Sequence, residues 1–509
     1  NTTGANNTAI GHCAMVSNTT GAANNAVGCS ALVCNTEGVD NNAFGNKALC
    51  ANTTGDNNIA IGRLALRNNT TANENVGIGK EALCANQTGT ANTAVGTCSL
   101  KVNTASCNTS IGALSLRDNT TGCSNVAVGT NAMLVNTEGC FNTAVGRAAL
   151  DANTTGDRNV AIGLSALGSN TTADCNVAVG QSALGVNTTG ANNTAVGHYA
   201  LLANTTASNN TAVGCGAGAA NTTGVSNTAV GHAALNDNTT ASNNTAIGMN
   251  SLAVTTTGCQ NTAVGAGAMD TNSTGDNNVA VGFSALDANT TADKNTAVGH
   301  SALKANTTGT RNTAVGFCSL TTNTTGDDNT AFGTESLRAN TTGANNVAVG
   351  KNALVANTTG DENTAVGCNT LGANTTADNN TAIGAFALDT NTEGHSNVAV
   401  GRSALTANTT ADNNTAVGFD SMKANTTGSE NTALGISSSY SNTTGSCNVA
   451  LGRNALYTTT TGGQNIAIGT AALYSNTTAI NNTAVGSNAL LSNTTGTDNV
   501  ALGFCALNA

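Results

Sequence analysis

A block of seventeen residues, repeated from one end of the chain to the other, constrains what this sequence can fold into more than any other feature. Residues Asn340–Ala356 show it: N-T-T-G-A-N-N-V-A-V-G-K-N-A-L-V-A, numbered here as positions 1 to 17. The position-11 glycine recurs every 17 residues from Gly11 to Gly96 and again from Gly112 to Gly503, with a single interval of 16 between the two runs. Thirty tiles result, one of them (103–118) a residue short in its Asn-Thr-Thr-Gly turn. A period this short and this regular is the signature of a solenoid, in which each unit buries its apolar face only against its neighbours.

The tile reads as turns and short strands. Asn-Thr-Thr-Gly at positions 1–4 is turn chemistry, because Asn and Gly enter the left-handed region and Asn and Thr side chains bond their own backbone. Positions 8–10, Thr/Val-Ala-Val/Ile, form a β-branched run with period two. Ala-Leu at positions 14–15 makes a second apolar segment. Seventeen residues have no room for a helix together with these turns. They hold two or three short strands joined by tight arcs, one coil of an all-β parallel β-solenoid (β-roll) with 17 residues per coil. The inward residues expected in the reference tile are Val349 and Leu354, with Val347 partly inward. The whole chain, 1–509, reads as one continuous solenoid without separate caps. Thirty coils at about 4.8 Å would make a rod of roughly 140 Å.

Composition supports a thin, repeated core. Pro and Trp are absent, aromatics are 2% and charged residues 8%, against about 25% charged in ordinary globular domains. The 16 Lys and Arg form no run, so a nucleic-acid partner is unsupported. No apolar stretch approaches the ~20 residues of a membrane-spanning helix.

Stacking turns identical positions into columns. Position 7 is Asn in every tile (Asn7, Asn176, Asn346 and Asn499 among them), which predicts an Asn ladder along the axis. Tyr440, Tyr457 and Tyr474 share position 16 of successive tiles. They read as cross-coil packing or as a strip for lateral docking or for contact with a glycan or a cell surface. Cys123 and Cys140 share position 5 of successive tiles, within reach of a disulfide. Cys13 with Cys29, and Cys34 with Cys50, are looser candidates, 16 residues apart in adjacent tiles. No C-x-x-C spacing is present. His12, His198, His232 and His300 fall at position 12 of well-separated tiles and His395 at position 5, so they read as surface residues. No metal or other cofactor is expected, and no nucleophile, base or carboxylate pair stands apart from the repeat.

The ends are in phase, the chain beginning at position 1 and ending at position 17. An uncapped coil offers unpaired backbone groups to another chain, and a head-to-tail contact of that kind builds an open filament. Cys13 and Cys505 both occupy position 13 and would lie in adjacent coils across such a junction, a candidate intersubunit bridge. The partner expected first is therefore a second copy of the chain, joined head to tail or laterally. Twenty-four tiles also carry Asn-x-Ser/Thr at position 1, glycan acceptors in a eukaryotic secretory setting.

Asn346–Gly350, Asn176–Gly180 and Asn125–Gly129 resemble the N-S-V-A-I-G repeats of trimeric autotransporter adhesin heads. The full tile is similar to repeats of phage tail-fibre-like and bacterial surface proteins. The resemblance covers the whole chain and implies a left-handed parallel β-roll at an extracellular, cell or virion surface. Four functions follow in order: a non-enzymatic structural subunit of an extracellular filament; the shaft or head of a trimeric adhesin or phage fibre, with the small position-9 column as a side face for threefold packing; an ice-binding solenoid with Thr ladders; and, last, an enzyme on a solenoid face.

Overall fold

The computed structural model describes residues 1–508 as an all-β parallel β-solenoid, one coil per tile. The chain divides into two compact units, Asn1–Thr257 and Gly258–Ala509. The first carries strands β1 (Thr8–Ile10) to β15 (Thr245–Ile247), the second β16 (Thr262–Val264) to β30 (Val500–Leu502), each strand three residues long at positions 8–10. Within the first unit every strand pairs in parallel with the next, one tile on, as in Thr8↔Asn25 and Ala9↔Ala26. The same holds from β16 to β30. The short tile changes nothing in the sheet, since Thr93 pairs with Thr109 and Val95 with Ile111. Its deletion is absorbed in the turn.

The expectation of two or three strands per coil is corrected to one. Position 15 has φ near +50°, as at Leu354 (+51°), and position 13 is left-handed too, as at Asn352 (+57°). A left-handed non-glycine residue costs roughly 1–2 kcal/mol. Here the alternation aims successive N–H groups at opposite neighbours: Asn352 donates to Thr334 O in the coil before (3.0 Å) and Leu354 to Thr370 O in the coil after (2.9 Å). A coil is thus bonded on both sides by segments that are not strands.

The expected core also changes. In β21 (Val347–Val349) the middle residue, Ala348, is fully buried, while Val347 and Val349 are half-exposed. Val349 therefore points out, and the inward set is Asn340, Asn346, Ala348, Ala353 and Leu354. The reason is thickness. At Gly77, which replaces the position-9 alanine, an added Cβ would already lie 3.2 Å from Leu66 Cγ of the coil before, tighter than ordinary packing between carbons. The coil has room there for one methyl group. The same burial removes position 9 as a side face for threefold packing, because the column is internal.

Buried asparagines complete the interior. Asn346 Oδ1 accepts the backbone N–H of Asn363 (3.0 Å), and its Nδ2 donates to Gly360 O (2.8 Å), both in the next coil. Asn7, Asn176 and Asn499 are bonded in the same column. Position 1 makes a second ladder. Asn340 Nδ2 donates to Asn323 Oδ1 (2.8 Å) and to Gly343 O (2.8 Å), and its own Oδ1 accepts from Asn357 (2.9 Å).

That second ladder breaks where the sequence departs from the tile. Asn86 Oδ1, Asn238 Oδ1 and Asn442 Oδ1 are buried without a partner. They immediately precede the short tile, Thr255 and Thr459, the last two standing where other tiles have Asn. An orphaned buried acceptor costs about 1–3 kcal/mol. Thr459→Asn is expected to recover about 1–2 kcal/mol by bonding Asn442 Oδ1, read as a rise in the unfolding midpoint; an unchanged or lower midpoint contradicts the ladder account.

Candidate functional site

The candidate positions lie on columns, so each is judged by what its neighbours one coil away do to it. Position 5 is the most developed. Its backbone N–H donates to the position-5 side chain of the next coil: Ala344 to Asp361 Oδ1 (2.7 Å), Asp361 to Asp378 Oδ1 (2.7 Å), Asp378 to His395 Nδ1 (2.9 Å), and His395 to Asp412 Oδ1 (2.7 Å). His395, expected as an isolated surface residue, is a link in this chain, flanked by two aspartates. Any acceptor side chain serves, and Ser429 Oγ takes the same place for Asp412 (3.1 Å).

Cys123 and Cys140 occupy this column. Cys140 Sγ accepts the Cys123 N–H at 3.0 Å, and the two sulfurs are themselves 3.0 Å apart. Burial, followed by the Cys123 thiol beside it, raises the Cys140 pKa above the ordinary thiol value. Thiolate is the attacking species, so attack by the Cys140 sulfur is expected to be slow near neutral pH and to accelerate as pH rises. Treatment with oxidised glutathione should yield a Cys123–Cys140 peptide before any other cysteine pair; an order in which other pairs form first contradicts the geometry. Cys34 and Cys50 are joined through their backbones, the Cys34 N–H donating to Cys50 O (3.2 Å), and the Cys50 pKa is raised by burial first, then by Cys34. Cys13 lies against His12 Nε2 (3.8 Å) and Cys29 against Ser30 Oγ (3.8 Å). Cys505 carries the same left-handed backbone as Cys13 (φ +53° and +56°).

The tyrosines stack as coins. Ring centroids are 5.1 Å apart in both pairs, Tyr440–Tyr457 and Tyr457–Tyr474, with planes 9° and 2° from parallel. Lys423 Nζ sits 5.8 Å over the outer face of Tyr440 and is itself held by Asp420 (3.2 Å). The ring faces cover one another, so the strip turns edges and hydroxyls to solvent. A sugar that needs an aromatic face finds none inside the stack. A second stack escapes a reading of the sequence for histidines alone: Phe283, His300 and Phe317, with centroids 5.2 and 5.3 Å apart. Its signal is there, since all three hold position 12 of successive tiles.

Acid–base chemistry has little to draw on in these columns. Burial raises the pKa values of Asp151, Asp287 and Asp389, but all three sit at position 16 of separate coils. Asp287 and Asp389 are six tiles apart, about 29 Å at the coil spacing, too far to share a proton or a substrate. Among the described residues no group of three His, Cys, Asp or Glu side chains converges, and no helix is long and apolar enough to cross a membrane. No protein-family model matches the chain, and no curated protein matches it either.

Proposed function

We propose that the chain is a non-enzymatic structural element of an extracellular fibre, extended by stacking coil on coil with further copies of itself. One observation carries this reading: apart from the short tile and the two tiles that open on Thr, successive coils present one another with the same donors and acceptors. Val347 donates to Asn363 O (2.8 Å), Gly350 to Phe332 O (2.8 Å) and Thr341 to Thr358 O (2.9 Å), and the same bonds recur in tile after tile. A coil from another copy finds the partners that a coil of its own chain would find. The support is this sameness of coils and not the position of the chain ends. An extracellular setting is favoured by the adhesin-like repeat and by the closely placed Cys123 and Cys140.

Electron microscopy of the purified protein tests the proposal. Filaments much longer than one chain, with a meridional spacing near 4.8 Å, are the expected result. Discrete particles of one-chain length at every concentration would count against it. The trimeric-adhesin reading has lost its position-9 face and rests on the repeat resemblance alone.

A further inference from the structure

The outward parity of each strand creates a surface that the tile's core does not explain. Positions 8 and 10 form two columns on the outer face of the sheet in each unit, half-exposed or exposed throughout. Position 10 is always Val, Ile, Leu or Phe; Ile111 is 42% exposed in the first unit and Phe332 56% in the second. None of the 43 charged residues falls in either column, although charges are frequent at other exposed positions. Position 8 is Thr or Asn in 19 tiles and Val or Ile in the other 11, so an unbroken apolar column lies beside a mixed, uncharged one. An exposed apolar column without one interrupting charge marks an association surface.

Charge borders the strip asymmetrically. Position 5, before the strand, holds nine aspartates and no Lys or Arg. Position 12, after the strand, holds six Arg or Lys and no acid. The position-5 carboxylates each spend an oxygen on backbone bonding, as Asp361 does with Ala344, but keep their charge. A second copy turned to face the first by rotation about the coil axis sets acidic edge against basic edge. A copy turned end over end sets acid against acid. With the copies parallel and at zero offset, Arg63 faces Asp56 of the same tile, and Lys351 falls between Asp327 and Asp361 of the tiles on either side.

We propose that the strip formed by positions 8 and 10 is a lateral interface between two parallel copies of this chain. Period selects the occupant, because only a partner with the same coil repeat can meet every coil alike. Area agrees. Fifteen strands at about 4.8 Å, each about 10 Å across, give roughly 700 Å² per unit, close to the ~800 Å² that each partner buries in a standard interface. The inference is independent of end-on stacking: stacking lengthens a particle at constant mass per length, whereas this contact doubles the mass per length.

The test uses the full chain in two forms. Mass per length is measured by scanning transmission electron microscopy on the unmodified protein and on Val366→Glu/Ile383→Glu, both outward residues of adjacent strands. The unmodified value should be twice that of the variant, and at concentrations where both are dispersed the two should share an unfolding midpoint. A second variant, Lys351→Glu/Arg402→Glu, leaves the strip intact and should weaken pairing several-fold by setting acid against acid. A mixture of ¹⁴N- and ¹⁵N-labelled chains, treated with a zero-length carbodiimide cross-linker, should give mixed-isotope links from Lys351 to Asp327 or Asp361. A single-chain mass per length in the unmodified protein overturns the proposal, as does a value that the first variant leaves unchanged. Mixed-isotope links that pair distant tiles overturn the parallel arrangement. A single-chain rod that shapes ice crystals would assign the strip to ice instead.

Discussion

Gly350→Ala is expected to be the most damaging single-methyl change in its coil, lowering stability by more than about 4 kcal/mol. Two causes add. Gly350 has φ +133°, a region that L-residues rarely enter, and holding a side chain there costs about 1–3 kcal/mol. The added Cβ would also lie 2.4 Å from Gly367 O and 2.7 Å from its carbonyl carbon. Both are backbone atoms of the next coil, so relief requires the coils to separate. Separation would strain the bond from Gly367 N–H to Val349 O (2.8 Å) that joins them. In a repeat protein the damage stays near the fault, because each unit contacts only its neighbours. Hydrogen exchange should accelerate across residues 340–373 and remain near wild type several coils away. Uniform protection in the variant would show that the glycine column is not what keeps the coils in register.

The second large effect is expected at the buried amide of Asn346. Asn346→Ala leaves the Asn363 N–H without its acceptor and opens a void, costing about 2–4 kcal/mol. Asn346→Asp separates the two halves of the amide's work. The carboxylate oxygen at Oδ1 still accepts from Asn363, but the other oxygen now faces Gly360 O, where Nδ2 had donated at 2.8 Å. Burial and that facing carbonyl both disfavour the charged form, so the carboxyl pKa in the folded state rises above the unfolded ~3.9. A group with a raised folded pKa is least costly while protonated. The difference between this variant and the unmodified chain should therefore be smallest near pH 3 and widen as pH rises above about 4. Chemical unfolding of both proteins at each pH measures it. A difference independent of pH would mean that water, and not the Gly360 carbonyl, meets the Nδ2 group.

Much of this architecture could be read from residue identity. The unvarying Asn346 and Gly350 columns announced stacked coils in strict register, and the structure keeps that register even through the short tile at 103–118. What misled was hydrophobicity. Val349 is larger and more apolar than Ala348, so a core argument puts the valine inside. The useful signal was constancy of size. Position 9 is Ala except for Gly77 and Ser110, both small, whereas position 10 ranges from Val to Phe44 and Phe332. A wall that tolerates a benzyl group is an outer wall. The exception Ser110 is still small, and its hydroxyl is satisfied in the interior, accepting from Ser99 Oγ of the coil before (2.7 Å) and donating to Ser115 O (2.8 Å). The left-handed leucines had no signal at all, because Leu does not favour that backbone and only the two-sided bonding of the coil imposes it.

Candidate contacts follow the same division. The Cys123–Cys140 and Tyr440–Tyr457–Tyr474 columns were readable because equal positions in successive tiles must stack. The charge-free strip was not, because it becomes a surface only once the strand's parity is known.

That parity is tested most directly by thermal unfolding of two variants at adjacent residues, Val349→Lys and Ala348→Val, at concentrations where the chain is dispersed. Val349→Lys should melt within a degree or two of the unmodified protein, as an outward surface change typically within about 0.5 kcal/mol does. Ala348→Val adds two methyl groups where one already fills the space and should cost about 1–3 kcal/mol or more. The opposite order, with the lysine unfolding the coil and the valine tolerated, would contradict the alanine-lined interior on which the account rests.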